Sequence, residues 1–457
     1  MKKYLNFLLS FFCLLILNQP YFLFGDDCSE RCASSKCQTD SKTFFRTRSA
    51  IEDVSFFLGL NQYNYYRKYF TPCSSDYDAD EENIHVAAGV FFEKSRPNAK
   101  NNLGRFFFSG GADQNNEAAE PNTTESIITV SPERKIIGAY FDYHQDFCFC
   151  DGLWLDAKFA IYQATHNLHA QEKNLTTVSS TECTPLGFLS SDELNFGRIP
   201  TCKLKKSGFD DIEIKLGYYF YNCIERGYAG LYASALLPIA SKPTAEFLFE
   251  PLVGRAHWGI GGGLNAAHSI YKSENKSLTL LTDFSYQYLL KGNELRSLDF
   301  KEGQLTRFMA ANTRSNITPA VPAINLTTLN LDVAPRGVIN FWLASHLQYC
   351  QWHAEAGYNL WWRQSEKICF KKCQQTNFDS LGIVDDGTFI PLTLNNLDLT
   401  STSHPKTLTN KVYLALSYDA QTCNRTINIG LAGSYEFSRN INSMEQWGVW
   451  GNIETSF

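Results

Sequence analysis

From residue 85 onward the chain alternates apolar and polar or small residues with a period of two. In 209–221, Ile212, Ile214, Leu216, Tyr218 and Phe220 fall on one face, while Asp211, Glu213, Lys215, Gly217 and Tyr219 fall on the other. In 277–291, Leu278, Leu280, Thr282, Phe284, Tyr286, Tyr288 and Leu290 oppose Thr279, Asp283, Ser285 and Gln287. In 425–437, Ile427, Ile429, Leu431, Tyr435 and Phe437 oppose Asn428, Gly430, Ser434 and Glu436. Alternate residues of a strand face opposite sides of a sheet, and a helix cannot separate these sets. Twelve such segments occur: 85–94, 134–147, 153–164, 209–221, 227–239, 256–270, 277–291, 338–349, 351–364, 410–421, 425–437 and 446–457. Soluble strands average roughly 5–6 residues, and an oblique bilayer crossing takes about 9–11. These segments have the second length.

The connections alternate as well. Those at 95–133, 165–208, 240–255, 292–337, 365–409 and 438–445 are mostly long. Those at 148–152, 222–226, 271–276, Cys350 and 422–424 are short. Short periplasmic turns and long extracellular loops distinguish outer-membrane barrels. A sandwich or propeller gives no reason for the alternation. The expected fold is all-β: an antiparallel up-and-down transmembrane β-barrel of about 12 strands.

Charge and composition narrow the function. The formal net charge is −6, with 47 Asp+Glu against 41 Lys+Arg, which excludes a generic nucleic-acid binder. Charged residues make up 19% and aromatics 14%. Beyond the N-terminus no uncharged apolar run approaches the ~18–20 residues of a spanning helix. Lys2 and Lys3 precede an apolar stretch from Tyr4 to Leu17, so residues 1–25 read as a secretory signal. Residues 26–84 then form a periplasmic or plug segment, and 85–457 the barrel. In the segment, Ser49 and Glu52 have capping-box spacing ahead of Ile51, Val54, Phe57 and Leu58, and Gly59 can stop the short helix they predict. Cys13 lies in the expected leader, so export makes the other 13 of the 14 cysteines candidates for disulfides. Bridges are expected between Cys183 and Cys202 and between Cys369 and Cys373, each within one long loop.

The last segment carries a resemblance. Trp447, Val449, Gly451, Ile453, Thr455 and Phe457 form its outward row and close on a terminal aromatic. This pattern resembles the C-terminal signature of bacterial outer-membrane β-barrel proteins, porin-like in general form and without an identified subfamily. The resemblance implies an outer-membrane location, contact with outer-membrane lipid, and Phe457 as the signal read by the barrel-assembly machinery.

Apolar rows must then face lipid, where a Lys or Arg at mid-depth costs about 2–4 kcal/mol. The opposite rows would line the lumen with Asp156, Lys158, Asp211, Glu213, Lys215, Asp283, His346, His353, Glu355, Asn359, Arg363, Asp419 and Glu436. Gly217, Gly259, Gly261, Gly263, Gly357 and Gly430 would leave space between them. That face predicts a passive pore or channel-like transporter for small hydrophilic solutes. Two alternatives stand beside it. One is a structural or surface-interaction barrel with a closed lumen. The other is a transporter of hydrophobic compounds with an N-terminal hatch. Loop 292–337 is the constriction candidate, with Arg307, Arg314 and Arg336 facing the acidic wall. His346, His353 and Glu355 flank the Cys350 turn. Such a trio could bind a metal or act as acid and base, but is more often a hydrogen-bonded lumen network. No enzyme, cofactor, resident metal or nucleic-acid partner is expected.

Overall fold

The alternating segments form strands because each can satisfy its backbone only against neighbours while turning apolar residues to lipid. A computed structural model of the chain describes residues 43–47, 84–96, 101–110, 123–147, 150, 152–174, 184–223, 226–273, 275–313, 321–372, 380–385, 388–422, 425–438 and 444–456. The expected leader, most of 26–84 including the helix at 49–59, Cys183, Cys373, Arg314 and Phe457 lie outside the described residues.

The barrel strands are β1 (Ile84–Arg96), β2 (Glu133–Asp146), β3 (Leu153–Asn167), β4 (Ile212–Cys223), β5 (Gly227–Leu237) and β6 (Gly259–Ser273). They continue as β7 (Lys276–Leu289), β8 (Arg336–Tyr349), β9 (Trp352–Arg363), β10 (Thr407–Thr422), β11 (Arg425–Phe437) and β12 (Glu445–Ser456). Each pairs antiparallel with the next. β12 returns to β1, from His85↔Ser456 to Arg96↔Glu445, so the sheet closes. All twelve expected segments are strands of this cylinder.

One seam is irregular. β3 pairs with β4 only from Leu153↔Tyr218 to Lys158↔Glu213, and beyond that with Leu204–Phe209. Asp210 and Asp211 sit at the break. Asp211 was expected on the lumen wall. It instead accepts backbone N–H groups from Ala240, Arg255 and Ala256, at 2.7–3.2 Å, because the interrupted strand leaves those loop amides without ladder partners.

The two faces separate as the alternation requires. Val90, Leu414 and Leu431 are 65–69% exposed on the outside. Tyr218, Tyr286, Tyr435 and Trp447 are exposed there too and suit an interfacial aromatic belt. Water does not stabilise a closed cylinder with this outer surface, and lipid does.

Among the described residues, the connections after β3, β5, β7 and β9 are folded. The connections after β7 and β9 interlock through three small sheets. Leu298, Phe300, Met309, Leu331, Val333 and Ile383 form their buried core. A second core around Leu189, Leu194, Phe249 and Phe308 ties in the connections after β3 and β5. Together they roof one mouth. The strand Thr43–Thr47 pairs with Asn101–Gly110 at this same end.

Cys150 and Cys350 are exposed thiols in short turns, and Cys369 is an exposed thiol in a long connection. The partners expected for Cys202 and Cys369 lie outside the described residues. After reduction, which opens any bridge from Cys369, a membrane-impermeant maleimide added to intact cells should label Cys369 and spare Cys150 and Cys350. Permeabilising the outer membrane should expose the latter pair. Labelling of Cys350 in intact cells, read by peptide mapping, would invert the barrel.

Candidate functional site

Strand alternation sends one side chain in two to the inner face, the face on which the lumen residues were expected. They pair with neighbours instead of standing in open solvent. Asp156 meets His144 at 2.5 Å, Lys158 meets Asp142 at 3.5 Å, and Lys215 meets Glu213 at 3.8 Å. Asp283 accepts from the Tyr232 hydroxyl at 3.0 Å, and Glu436 pairs with Lys411 at 3.2 Å. Asn359 donates to Asn340 at 2.9 Å. Arg363 donates to the Pro405 carbonyl at 3.3 Å, at the roofed mouth.

The wall glycines do not leave gaps. A Cβ on Gly217 would lie 2.1 Å from the Trp154 ring, and one on Gly357 would lie 2.2 Å from the Tyr413 ring. On Gly263 it would meet the Tyr232 hydroxyl at 2.4 Å. These glycines are where an inward aromatic from an adjacent strand lies against the backbone. Phe91, Tyr140, Leu281, Trp342, Tyr413 and Trp450 pack as one buried inward cluster. A freely open lumen was expected from the polar rows. The aromatic members of the same rows pack into part of that space, as side chains do inside small barrels.

Near the short turns, β8 to β11 assemble a chain of groups. His346 Nδ1 lies 3.3 Å from Glu355, and His346 Nε2 lies 3.1 Å from His353 Nδ1. His353 Nε2 lies 2.7 Å from Asp419. The expected trio is thus brought together, and Asp419 joins it from the next strand.

Two cavities occupy the other half. The outer one, of ≈160 Å³, lies under the roof. Phe247, Leu252, Phe308, Val338 and Trp361 give it apolar walls, and four arginines and three glutamates also line it. The inner one, of ≈40 Å³, is polar, with Ser234, Ser285, Gln287, Asn340, Asn359, Lys411 and Glu436. Arg255, Val338 and Trp361 line both. Trp361 packs with Leu236, Leu289 and Val338 in a buried collar between them.

A buried ionic network holds the rim. Arg296 reaches Glu294 at 2.6 Å and Glu366 at 3.6 Å. His257 places Nδ1 2.9 Å from the Leu290 carbonyl and Nε2 2.5 Å from Glu294, so both nitrogens donate and the ring is the imidazolium. Burial would lower its pKa, but Glu294 outweighs that and raises it. His404 donates from Nδ1 to Glu366 at 2.9 Å, while Arg296 donates to its Nε2 at 3.2 Å, which makes it the neutral tautomer. Burial lowers its pKa accordingly. Burial pushes both glutamates up, yet Arg296 and His257 hold Glu294, and His404 and Arg296 hold Glu366, below the usual carboxylate range.

None of this rim was singled out in the sequence. Its members come from three separate connections that carry no period. Arg307, expected to face the acidic lumen, is instead buried in the roof and holds Asp299 in a fork at 2.8 Å. Arg336 donates to the Ser365 carbonyl. Both bind carbonyls or carboxylates of the roof because buried guanidiniums need acceptors close at hand.

A closed antiparallel cylinder with an apolar exterior, short turns at one end and a folded roof at the other is an outer-membrane β-barrel, and the outer membrane is where such a surface belongs. No family model and no curated protein matches the chain. Solved structures similar to it include an outer-membrane channel of Pseudomonas putida F1, at 9% identity and TM-score 0.39 over 82% of this chain and 95% of that one. A Pseudomonas aeruginosa FadL homologue is 10% identical, at TM-score 0.29 over 83% and 90%. The Pseudomonas putida toluene transporter TodX is 11% identical, at TM-score 0.28 over 82% and 89%. Scores this low do not bear on function.

Proposed function

We propose that the protein is an outer-membrane transporter that admits small amphipathic compounds, with an apolar body and an anionic head, through its roofed mouth. The observation that carries this reading is the pair of stacked cavities sharing Arg255, Val338 and Trp361. The outer cavity offers apolar area for a hydrocarbon or aromatic body, and its arginines suit a carboxylate. The inner cavity offers polar partners beyond the collar. A passive pore for hydrophilic solutes fits less well, because inward rings cover the wall glycines and the lumen charges are paired. A structural barrel with a closed lumen remains the second reading, favoured by the buried aromatic cluster.

Proteoliposomes should separate the three. Uptake of a labelled aromatic or short alkyl carboxylate well above that of a neutral sugar of similar size supports the proposal. Equal entry of both would indicate an open pore. Entry of neither, with the barrel shown to be folded, would leave the structural reading.

A further inference from the structure

We propose that the outer face of β1 and β2, at the roofed end of the barrel, is a binding site for a lipid headgroup that carries a phosphate monoester. The inference does not depend on the transport reading. It rests on how charge is arranged just above the apolar band.

Alternation turns Lys94 and Arg96 of β1 outward with Val90 and Phe92, and Glu133 and Lys135 of β2 outward with Ile137. Lys94 and Lys135 are direct cross-strand partners. Like charges set opposite one another destabilise a sheet, so the ladder itself gives no reason for this pair. Glu133 gathers them: it meets Lys94 at 3.1 Å, Lys135 at 3.2 Å and Arg96 at 2.7 Å. One carboxylate thus holds three cations together without neutralising them. The Arg96 and Lys135 side chains are still 64% and 41% exposed. The neighbouring strands extend the patch. Lys205 is exposed and pairs with Thr165, which pairs in turn with Lys135. Glu445 lies opposite Arg96 and accepts the Tyr435 hydroxyl at 2.9 Å. Lys94, Arg96, Lys135 and Lys205 therefore stand against Glu133 and Glu445, an excess of two positive charges in a chain whose formal net charge is −6.

The depth of the patch points to lipid. Lys94 is the ladder partner of Trp447, whose ring lies 5.4 Å from that of Phe92. Outward aromatics of this kind sit at headgroup level. Lys94 follows Phe92 by two residues, about 7 Å along the strand, and the exposed Val90 and Ile137 lie on its membrane side. The cationic groups therefore stand where lipid phosphates stand. A phosphate monoester carries about −1.5 to −2 charges and three acceptor oxygens, which suits the excess charge. Lysine and arginine carry more N–H donors than Glu133 takes from them, so donors remain for those oxygens. Free phosphate shares this chemistry, but it has no use for the apolar surface directly below, which acyl chains would cover.

The test uses the full-length folded barrel in neutral detergent, titrated with dioleoyl phosphatidic acid and followed by native mass spectrometry. Saturable binding at a single site is expected. Dioleoyl phosphatidylcholine should bind far more weakly, and inorganic phosphate should not displace the lipid. Replacing Lys94, Arg96 and Lys135 together by Gln should weaken binding on the order of 100-fold, about fivefold for each charge at a membrane surface. Lys301→Gln, which removes an exposed charge from the roof, should change nothing. Heat-modifiable gel mobility reports whether each variant is folded. Equal binding of the two lipids, a folded triple variant that binds like the parent, or a comparable loss in Lys301→Gln would each overturn the proposal. Displacement by inorganic phosphate would overturn it as well, by assigning the cluster to free phosphate.

Discussion

Arg296→Met should unroof the mouth. The arginine joins Glu294 to Glu366 across two connections; both glutamates are buried and the arginine side chain is 12% exposed. Removing it leaves the Glu294–His257 pair and leaves Glu366 with the His404 imidazole, the His404 backbone N–H and the charge of Arg363. Breaking a buried ion pair by deleting one partner costs about 3–5 kcal/mol, mostly for the uncompensated charge left behind. The barrel ladder does not involve these groups, so the damage should stay in the roof. Limited proteolysis of intact cells should cut the connections after β7 and β9 in the variant while the strands stay protected. A variant as resistant as the parent would remove the network from its assigned role.

The same network gives the roof a pH window. Glu294 and Glu366 have folded pKa values below their unfolded ones. Their contribution is complete above the unfolded value near ~4.3 and is lost as pH falls through the folded values. His257 is shifted the other way. Its contribution is complete below its unfolded value near ~6.5 and is lost as pH rises through the higher folded one. For these three groups resistance should be greatest between those limits. His404, shifted down by burial, adds a contribution that is complete above its unfolded value near ~6.5 and is lost as pH falls through the folded one. In Arg296→Met the acid edge should move to higher pH, because the glutamates lose the charge that kept them ionised.

Trp361→Ala should join the two cavities. The indole is buried in the collar with Leu236, Leu289 and Val338, and it borders both compartments. Truncating a buried Trp costs about 3–5 kcal/mol where the hole stays empty. Here the hole would lie between two cavities and could take water, so the loss should fall at or below the low end. Its functional effect should be larger than its effect on stability. Planar bilayers should show conductance steps in the variant that are absent or far smaller in the parent. Unchanged conductance, with the variant folded, would show that the collar does not separate the compartments.

The strands were legible because one face of each meets lipid and the other does not. That contrast is written residue by residue in 209–221, 277–291 and 425–437, and the observed registers follow it. The hairpin around Cys350 was legible for the same reason, which is why His346, His353 and Glu355 could be placed together. Asp419 could not be linked to them, since nothing in a single row tells which inward residue of the next strand lies level with it. The glycines misled. Gly217 and Gly357 look like openings in sequence, but Trp154 and Tyr413 lie against them, and that pairing exists only between strands. The rim was illegible for a different reason. His257, Glu294, Arg296, Glu366 and His404 sit in connections whose fold depends on contacts far apart in the chain, where neither period two nor a local motif leaves a trace.

The pairing of β12 with β1 sets an order of events. Every other barrel strand finds its partners next to it in sequence, so hairpins can form as soon as the chain is available. The β1–β12 seam joins opposite ends of the barrel sequence. Loop-closure cost grows only logarithmically with length, so the seam is cheap at equilibrium. It is slow to find, because distant pairings must be searched for before they are rewarded. Until it forms, the sheet has two raw edges of unpaired N–H and C=O groups, which invite pairing with another chain. The period of greatest danger for this protein is therefore the interval before the last seam is zipped, and a catalyst that templates one of those edges would shorten it.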